Sequence, residues 1–172
     1  MNILITGAAG FIGFHTSLLL LKNHKVFGVD NLNNYYDPNL KKNRLNLLKK
    51  FSNFKFYKTD IQNKNLLKKF KGINIDVIIN LAAQAGVRHS LKDPYSYIDS
   101  NVFGQINMLE FAKKLNIKKF IYASSSSVYG GNKKFPFSVK DRVDNPVSLY
   151  AASKKSSELL AECYSHLFDL KC

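Results

Sequence analysis

"NILITGAAGFIG", residues 2–13, is the stretch on which the fold of this chain turns. An apolar run with strand character leads straight into glycines at 7, 10 and 13, and a helical pattern over 11–22 follows. In such a turn the first glycine permits the tight reversal and the second lets the backbone approach a diphosphate. The third allows close packing of helix on strand. The diphosphate then meets a helix N-terminus, whose free N–H groups and dipole favour anions. Three glycines alone say little. Here a strand precedes them, a helix follows, and an acid, Asp30, closes the next strand, which is the context the motif requires.

Working outward, short β-rich runs alternate with longer helical patterns. Residues 2–6, 25–30, 54–60, 76–83 and 118–125 read as strands, and 11–22, 38–51, 62–71, 94–115 and 149–168 read as helices. The strands are almost continuously apolar, as strands covered on both faces are. The alternation predicts an α/β fold, a doubly wound parallel sheet of the Rossmann type, with five strands recognisable. A sixth is expected, and the chain stops at "LFDLKC" (167–172), where it would begin. Residues 1–172 are therefore expected to form one dinucleotide-binding domain, incomplete at its C-terminus, with the fifth strand exposed as an edge. The segment 130–146 is long for a connection and hints at function or mobility.

Composition sets bounds. The chain has 172 residues, 45% apolar and 22% charged, enough for one domain with a sizeable core. No run has the length needed to cross a bilayer. The apolar start lacks a basic segment and is interrupted by glycines, so it does not read as a secretion signal. The net charge of +14 raises the question of nucleic acid. Yet the lysine-rich stretches 41–50 and 64–71 also carry apolar residues, Leu40, Leu45, Leu47 and Leu48 around the first and Leu66, Leu67 and Phe70 in the second. That pattern suits amphipathic helices with lysine on their outer faces, and no nucleic-acid motif accompanies it. Cys163 and Cys172 show no metal-ligand spacing and are expected as free thiols in a reducing cytoplasm. The four histidines form no ligand set, so no metal is expected.

Asp30 is placed to accept hydrogen bonds from the hydroxyls of an adenosine ribose. Its charge would repel a 2′-phosphate, which favours NAD over NADP. Asp60 and Ile61, after the third strand, either flank the adenine or, for Asp60, cap the next helix.

"SLYAASKK" (148–155) sets Tyr150 and Lys154 four residues apart on one helix face. That helix follows the fifth strand, whose C-terminal end carries the serines of "ASSSS" (123–127), and ligands of open α/β sheets bind beyond the carboxyl ends of strands. Removing hydride from a secondary alcohol requires removal of its hydroxyl proton. A free tyrosine ionises near pH ~10, and a neighbouring cation favours the phenolate. Tyr150 thus reads as acid/base, Lys154 as the group that tunes it, and a serine as the holder of the reacting oxygen.

"TGAAGFIG", "NLAAQAGVR", "SSSSVYGG" and "PVSLYAASKK" together resemble the extended short-chain dehydrogenase/reductase family, over the whole length of the chain. Within it the likeness is to enzymes that epimerise nucleotide sugars. The resemblance implies an NAD-dependent isomerase that inverts C4 of a UDP-sugar, glucuronate before galactose, through a 4-keto intermediate with the reduced cofactor retained. A non-catalytic NAD-binding fragment and a dehydratase are the alternatives. It implies that Ser125 binds the sugar O4, and that Phe11, Ile12, Asp30, Asn31, Ala82, Ala83 and Gln84 line the cofactor. Asn101 would support the site, or simply brace its helix. Dehydratases and decarboxylases of the family carry Asp or Glu before "VYG", where this chain has Ser126 and Ser127. Those serines would grip a substrate carboxylate without donating the proton that decarboxylation needs. Arg88 would help them, or would face a phosphate or solvent. The resemblance also implies a homodimer and a smaller C-terminal substrate domain beyond residue 172.

Overall fold

The computed structural model describes residues 1–172, apart from the side chain of Leu67, which lies outside the described residues. Five parallel strands form one sheet: β1 (Asn2–Thr6), β2 (Lys25–Asp30), β3 (Phe54–Lys58), β4 (Val77–Asn80) and β5 (Phe120–Tyr122). Their order is β3-β2-β1-β4-β5. The order reverses between β1 and β4, and at such a switch point a crevice opens beyond the carboxyl ends of the strands.

The strands sort their side chains by the two-residue period. Leu4, Phe27, Val29 and Ile78 join one core with Met108, Leu109 and Phe111 of α4 (Gly104–Lys114); α3 is the short helix Pro94–Tyr97 before it. Ile3, Ile5, Val26 and Val77 face the other way, onto Phe14 of α1 (Phe11–Leu20) and Leu48 of α2 (Pro38–Leu48). A strand buried on both faces must be apolar throughout, which is why these runs read as nearly continuous. Each large aliphatic side chain so buried contributes about 2 kcal/mol.

Helix starts are set by local chemistry. Asp37 caps α2 by accepting the Asn39 N–H at 2.8 Å, with Pro38 in the first turn. Ser148 caps α5 (Leu149–Phe168) by accepting the Ala151 N–H at 3.0 Å. Two expected helices differ from the pattern. Over 62–71 only a 3₁₀ segment, Leu66–Phe70, forms. Asp60 and Asn63 take the Gln62 and Asn65 N–H groups on their side chains, so the backbone is diverted from helix. Over 94–115 the helix is broken by a π segment, Ile98–Phe103, around the buried Asn101. Ser157 Oγ of α5 donates to the Asn101 carbonyl at 2.8 Å, giving that wide turn a partner.

The expected faces of α2 are also corrected at three positions: Lys41 is buried, while Leu40 and Leu47 are exposed. The segment 130–146 is organised about Asp141, whose carboxylate accepts from Ser138 N at 3.0 Å and Asn132 Nδ2 at 3.1 Å. At the sheet edge, Lys171 bridges Lys119 in parallel, so the last residues cover the start of β5 while Ile121 stays 55% exposed.

Candidate active site

A cavity of about 260 Å³ lies at the switch point. The glycine turn forms one wall. Gly7 has φ +68°, a conformation other residues rarely adopt, and its carbonyl accepts the Gly10 N–H at 2.9 Å. A Cβ on Gly13 would fall 2.1 Å from the Gly7 oxygen, so only glycine lets α1 start this close to β1. Gly10 leads α1 without a side-chain cap, which leaves first-turn N–H groups for an anion.

β2 delivers Asp30. Its Oδ2 accepts the Ala9 N–H at 3.0 Å and its Oδ1 the Leu32 N–H at 2.8 Å, so the carboxylate is fixed beside the turn with a lone pair left on each oxygen. β4 delivers the opposite wall. Thr6 Oγ1 accepts the Leu81 and Ala82 N–H groups at 3.1 and 3.0 Å and donates to Asn80 Oδ1. Asn80 Nδ2 donates in turn to Gln105 Oε1 at 2.7 Å. This buried chain sets Ala82, Ala83 and Gln84 along the cavity.

Of the residues singled out from sequence, Gly7, Gly10, Asp30, Asn31, Asp60, Ile61, Ala82, Ala83 and Gln84 line this space together. Asp60 accepts from Asn31 Nδ2 at 2.7 Å and from Gln62 N at 3.0 Å, so it forms a turn and caps no helix. Gly13 is buried behind the turn, and Phe11 and Ile12 are exposed on the first turn of α1. Asn101 does not line the cavity. Its amide donates to Gln84 O at 3.0 Å and Ser153 Oγ at 2.9 Å and accepts from Gln84 N at 2.8 Å, tying the loop after β4 to α5.

The catalytic candidates stand on α5 and after β5. Lys154 is buried one helical turn from Tyr150, and burial pulls its ammonium down to about 8, with Glu158 opposing. Among the described residues, neither the Tyr150 phenol nor the Lys154 ammonium has a hydrogen-bond partner in the protein, so both are available to a ligand. Tyr150 packs edge to face on Tyr97, ring centroids 6.0 Å apart. Tyr97 is fully buried and donates to the carbonyls of Ala85 and Gly86. Ser125 caps the short turn Ser126–Tyr129 by accepting the Ser127 N–H at 3.2 Å. Ser126 and Arg88 are exposed.

Tyr35, Tyr36, Asn33, Lys41 and Ser100 also line the cavity, and sequence reasoning missed them. The available signal was the pair of tyrosines following "DNLNN", too short a segment to show a helix or strand period. No group of metal-ligating side chains occurs among the described residues.

A doubly wound domain with a glycine turn between β1 and α1, an acid closing β2 and a Tyr–Lys pair on the helix after β5 has the architecture of the short-chain dehydrogenase/reductase class. Residues 4–172 match the GDP-mannose 4,6 dehydratase family, and the chain belongs to that family. It is 53% identical over 172 residues to protein CapI of Staphylococcus aureus, covering 99% of this chain and 51% of that one. It is 52% identical to the UDP-glucuronate 4-epimerase of Thermodesulfobacterium geofontis, covering 97% and 52%. Among solved structures it is similar to the UDP-glucuronic acid 4-epimerase of Bacillus cereus in complex with UDP-glucuronic acid and NAD. There the TM-score is 0.90 and the identity 38%, over 99% of this chain and 54% of that one. The chain thus spans about half the length of the relatives it matches.

Proposed function

We propose that the site serves NAD-dependent 4-epimerisation of a nucleotide sugar, UDP-glucuronate to UDP-galacturonate, in the protein to which this chain belongs. The observation that carries the reading is Lys154, a buried ammonium without a hydrogen-bond partner among the described residues, one turn from Tyr150 on the helix that follows β5. The cradle suits NAD: a glycine turn in which Gly7 and Gly13 leave no room for a Cβ, an uncapped helix start for the diphosphate, and Asp30 with open lone pairs for the ribose.

NAD, held by the Gly7–Gly13 turn and Asp30, would supply a hydride acceptor and donor for C4 of the sugar, with no net oxidation. Tyr150 takes the proton of the C4 hydroxyl as the carbonyl forms and gives it back to the C4 oxygen after the sugar has turned. Lys154 stabilises the phenolate, because a cation close by lowers the cost of its charge. Ser125, at the cap of the turn that follows β5, holds the C4 oxygen. Ser126 and Ser127 supply hydroxyls where a dehydratase would need an acid or base. Glu158, further along α5, is engaged by Ser124 Oγ at 2.5 Å and Lys155 Nζ at 3.0 Å. Homodimerisation through α4 and α5 is supported by the exposed Leu159 and Leu167 on α5. A cytoplasmic setting is supported by two exposed, unpaired cysteines. Among the described residues no helix is long and apolar enough to cross a membrane.

NMR of UDP-glucuronate incubated with the chain and NAD tests the reading. UDP-galacturonate appearing without net NADH is the expected result, and Tyr150→Phe is expected to abolish it while leaving NAD binding nearly intact. Loss of both together would overturn the role given to Tyr150. Bound NAD with no product would leave this chain an NAD-binding unit only.

A further inference from the structure

Glu158 stands on the turn of α5 that follows Lys154, four residues on and on the same face. Its two oxygens are taken from two sides. Oε1 accepts Ser124 Oγ at 2.5 Å and Oε2 accepts Lys155 Nζ at 3.0 Å. A charge pair three residues apart on a helix usually lies open to water and contributes little. Here the Lys155 and Glu158 side chains are only 24% and 26% exposed, and the second oxygen is engaged by a different element.

Ser124 stands where the sheet is least held. The last rung between β5 and β4 is Ala123 N to Asn80 O at 3.4 Å, longer than an ordinary ladder bond. On the outer side of the strand Lys171 bridges Lys119, at the opposite end. Beyond Ser124 the hydrogen bonds turn local: Ser125 takes the Ser127 N–H on its side chain and the Val128 N–H on its carbonyl. Among the described residues, Ser124 to Glu158 is the hydrogen bond that ties this stretch to α5, and Ser124 is the immediate neighbour of Ser125.

The charges around the pair are few. Glu158 is the one charged group among the described residues that supports the Lys154 ammonium against burial. Tyr150 on the same helix and Tyr97 of α3 are the phenols on the Lys154 side. At the other end, Tyr122 of β5 faces Glu158 and Glu162, and its phenol is pushed up by burial first and by the Glu158 charge next.

We propose that Glu158 is a positioning residue that acts through Lys154. Clasped by Ser124, its carboxylate is fixed between the strand end that leads into Ser125 and the helix turn that carries Lys154. There it keeps the lysine an ammonium and holds the two walls of the site at one spacing. The proposal rests on Tyr150 and Lys154 being the proton-handling pair.

Spectra of the 172-residue chain labelled with ¹³Cε-lysine, followed from about pH 6 to about 10, read the titration of Lys154. Its signal is assigned by its loss in Lys154→Arg. The wild-type midpoint is expected at about 8. Glu158→Gln keeps an oxygen for Ser124 and removes the charge, and the midpoint is expected to fall by more than about half a pH unit. Ser124→Ala keeps the charge and opens the clasp, and a smaller fall in the same direction is expected. An unmoved midpoint in Glu158→Gln would make Glu158 a surface partner of Lys155 and overturn the proposal. An unmoved midpoint in Ser124→Ala would overturn the clasp. Should Glu158→Gln not fold, Glu158→Asp sets the charge on a shorter stem and gives the same decision: a fall is expected, and none refutes. Addition of NAD to the wild type is expected to shift the Lys154 signal. A signal indifferent to NAD would instead overturn the reading of the Tyr150–Lys154 pair itself.

Discussion

Tyr97 and Tyr150 stand edge to face at 6.0 Å, so the candidate acid/base leans on a ring that is itself pinned to the loop after β4. The Tyr97 hydroxyl is shared between the Ala85 carbonyl at 2.8 Å and the Gly86 carbonyl at 2.5 Å. One buried side chain therefore fixes both the cavity wall and the orientation of Tyr150.

Tyr97→Phe keeps the ring and removes the hydroxyl. Two carbonyls lose their donor, and a loss of about 1–2 kcal/mol in urea unfolding is expected. Tyr97→Ala also opens a cavity, and a loss of about 3–5 kcal/mol is expected. If the Phe and Ala variants unfold at the same denaturant concentration, the packing role assigned to the ring is wrong.

Gly13→Ala sets a methyl group 2.1 Å from the Gly7 oxygen, in backbone on both sides that cannot yield without moving α1 off β1. NAD binding is expected to weaken by more than about tenfold, because the helix start that meets the diphosphate shifts. Gly131→Ala meets only Val147 at 4.0 Å and serves as the tolerated control. Fluorescence titration with NADH reads both variants.

Asp30→Ala leaves the buried Ala9 N–H and the half-buried Leu32 N–H without their acceptor. A stability loss of about 2 kcal/mol is expected, together with weaker NAD binding and a smaller preference for NAD over NADP. A variant with the wild-type melting temperature and unchanged preference would show that the carboxylate does neither job.

The sheet and its turn were legible in the sequence because strands covered on both faces are apolar throughout and because the close approach of Gly13 to Gly7 demands glycine. The helix over 62–71 was misread because Asp60 and Asn63 divert backbone N–H groups through side-chain bonds that an apolar period does not register. Asn101 was read with two meanings, and its three amide bonds are long-range, to residues 17 and 52 positions away, so no local pattern registers them. Lys41 was hidden for a different reason. A lysine within "LKKNR" looks like a solvated face, and nothing local shows that Asn33 and Tyr36 fold over it.

Lys154 gives a prediction whose sign is opposite to that of an ordinary ion pair. Burial lowers its folded value to about 8 from 10.5, so between those two values the unfolded chain binds more protons than the folded one. Stability from this group therefore rises with pH across that window, and below about 8 its destabilising effect is complete. The buried ammonium costs on the order of 3 kcal/mol at neutral pH, a local destabilisation set where the phenol needs a cation. Lys154→Met is expected to be more stable than the wild type at pH 7, with the difference shrinking as pH rises from about 8 towards 10.5. The same variant is expected to lose epimerisation. Denaturant unfolding of both chains at pH 7 and at pH 10 checks the sign: a variant less stable at pH 7, or a gap that widens with pH, would show that Lys154 is held by a partner that favours its charge.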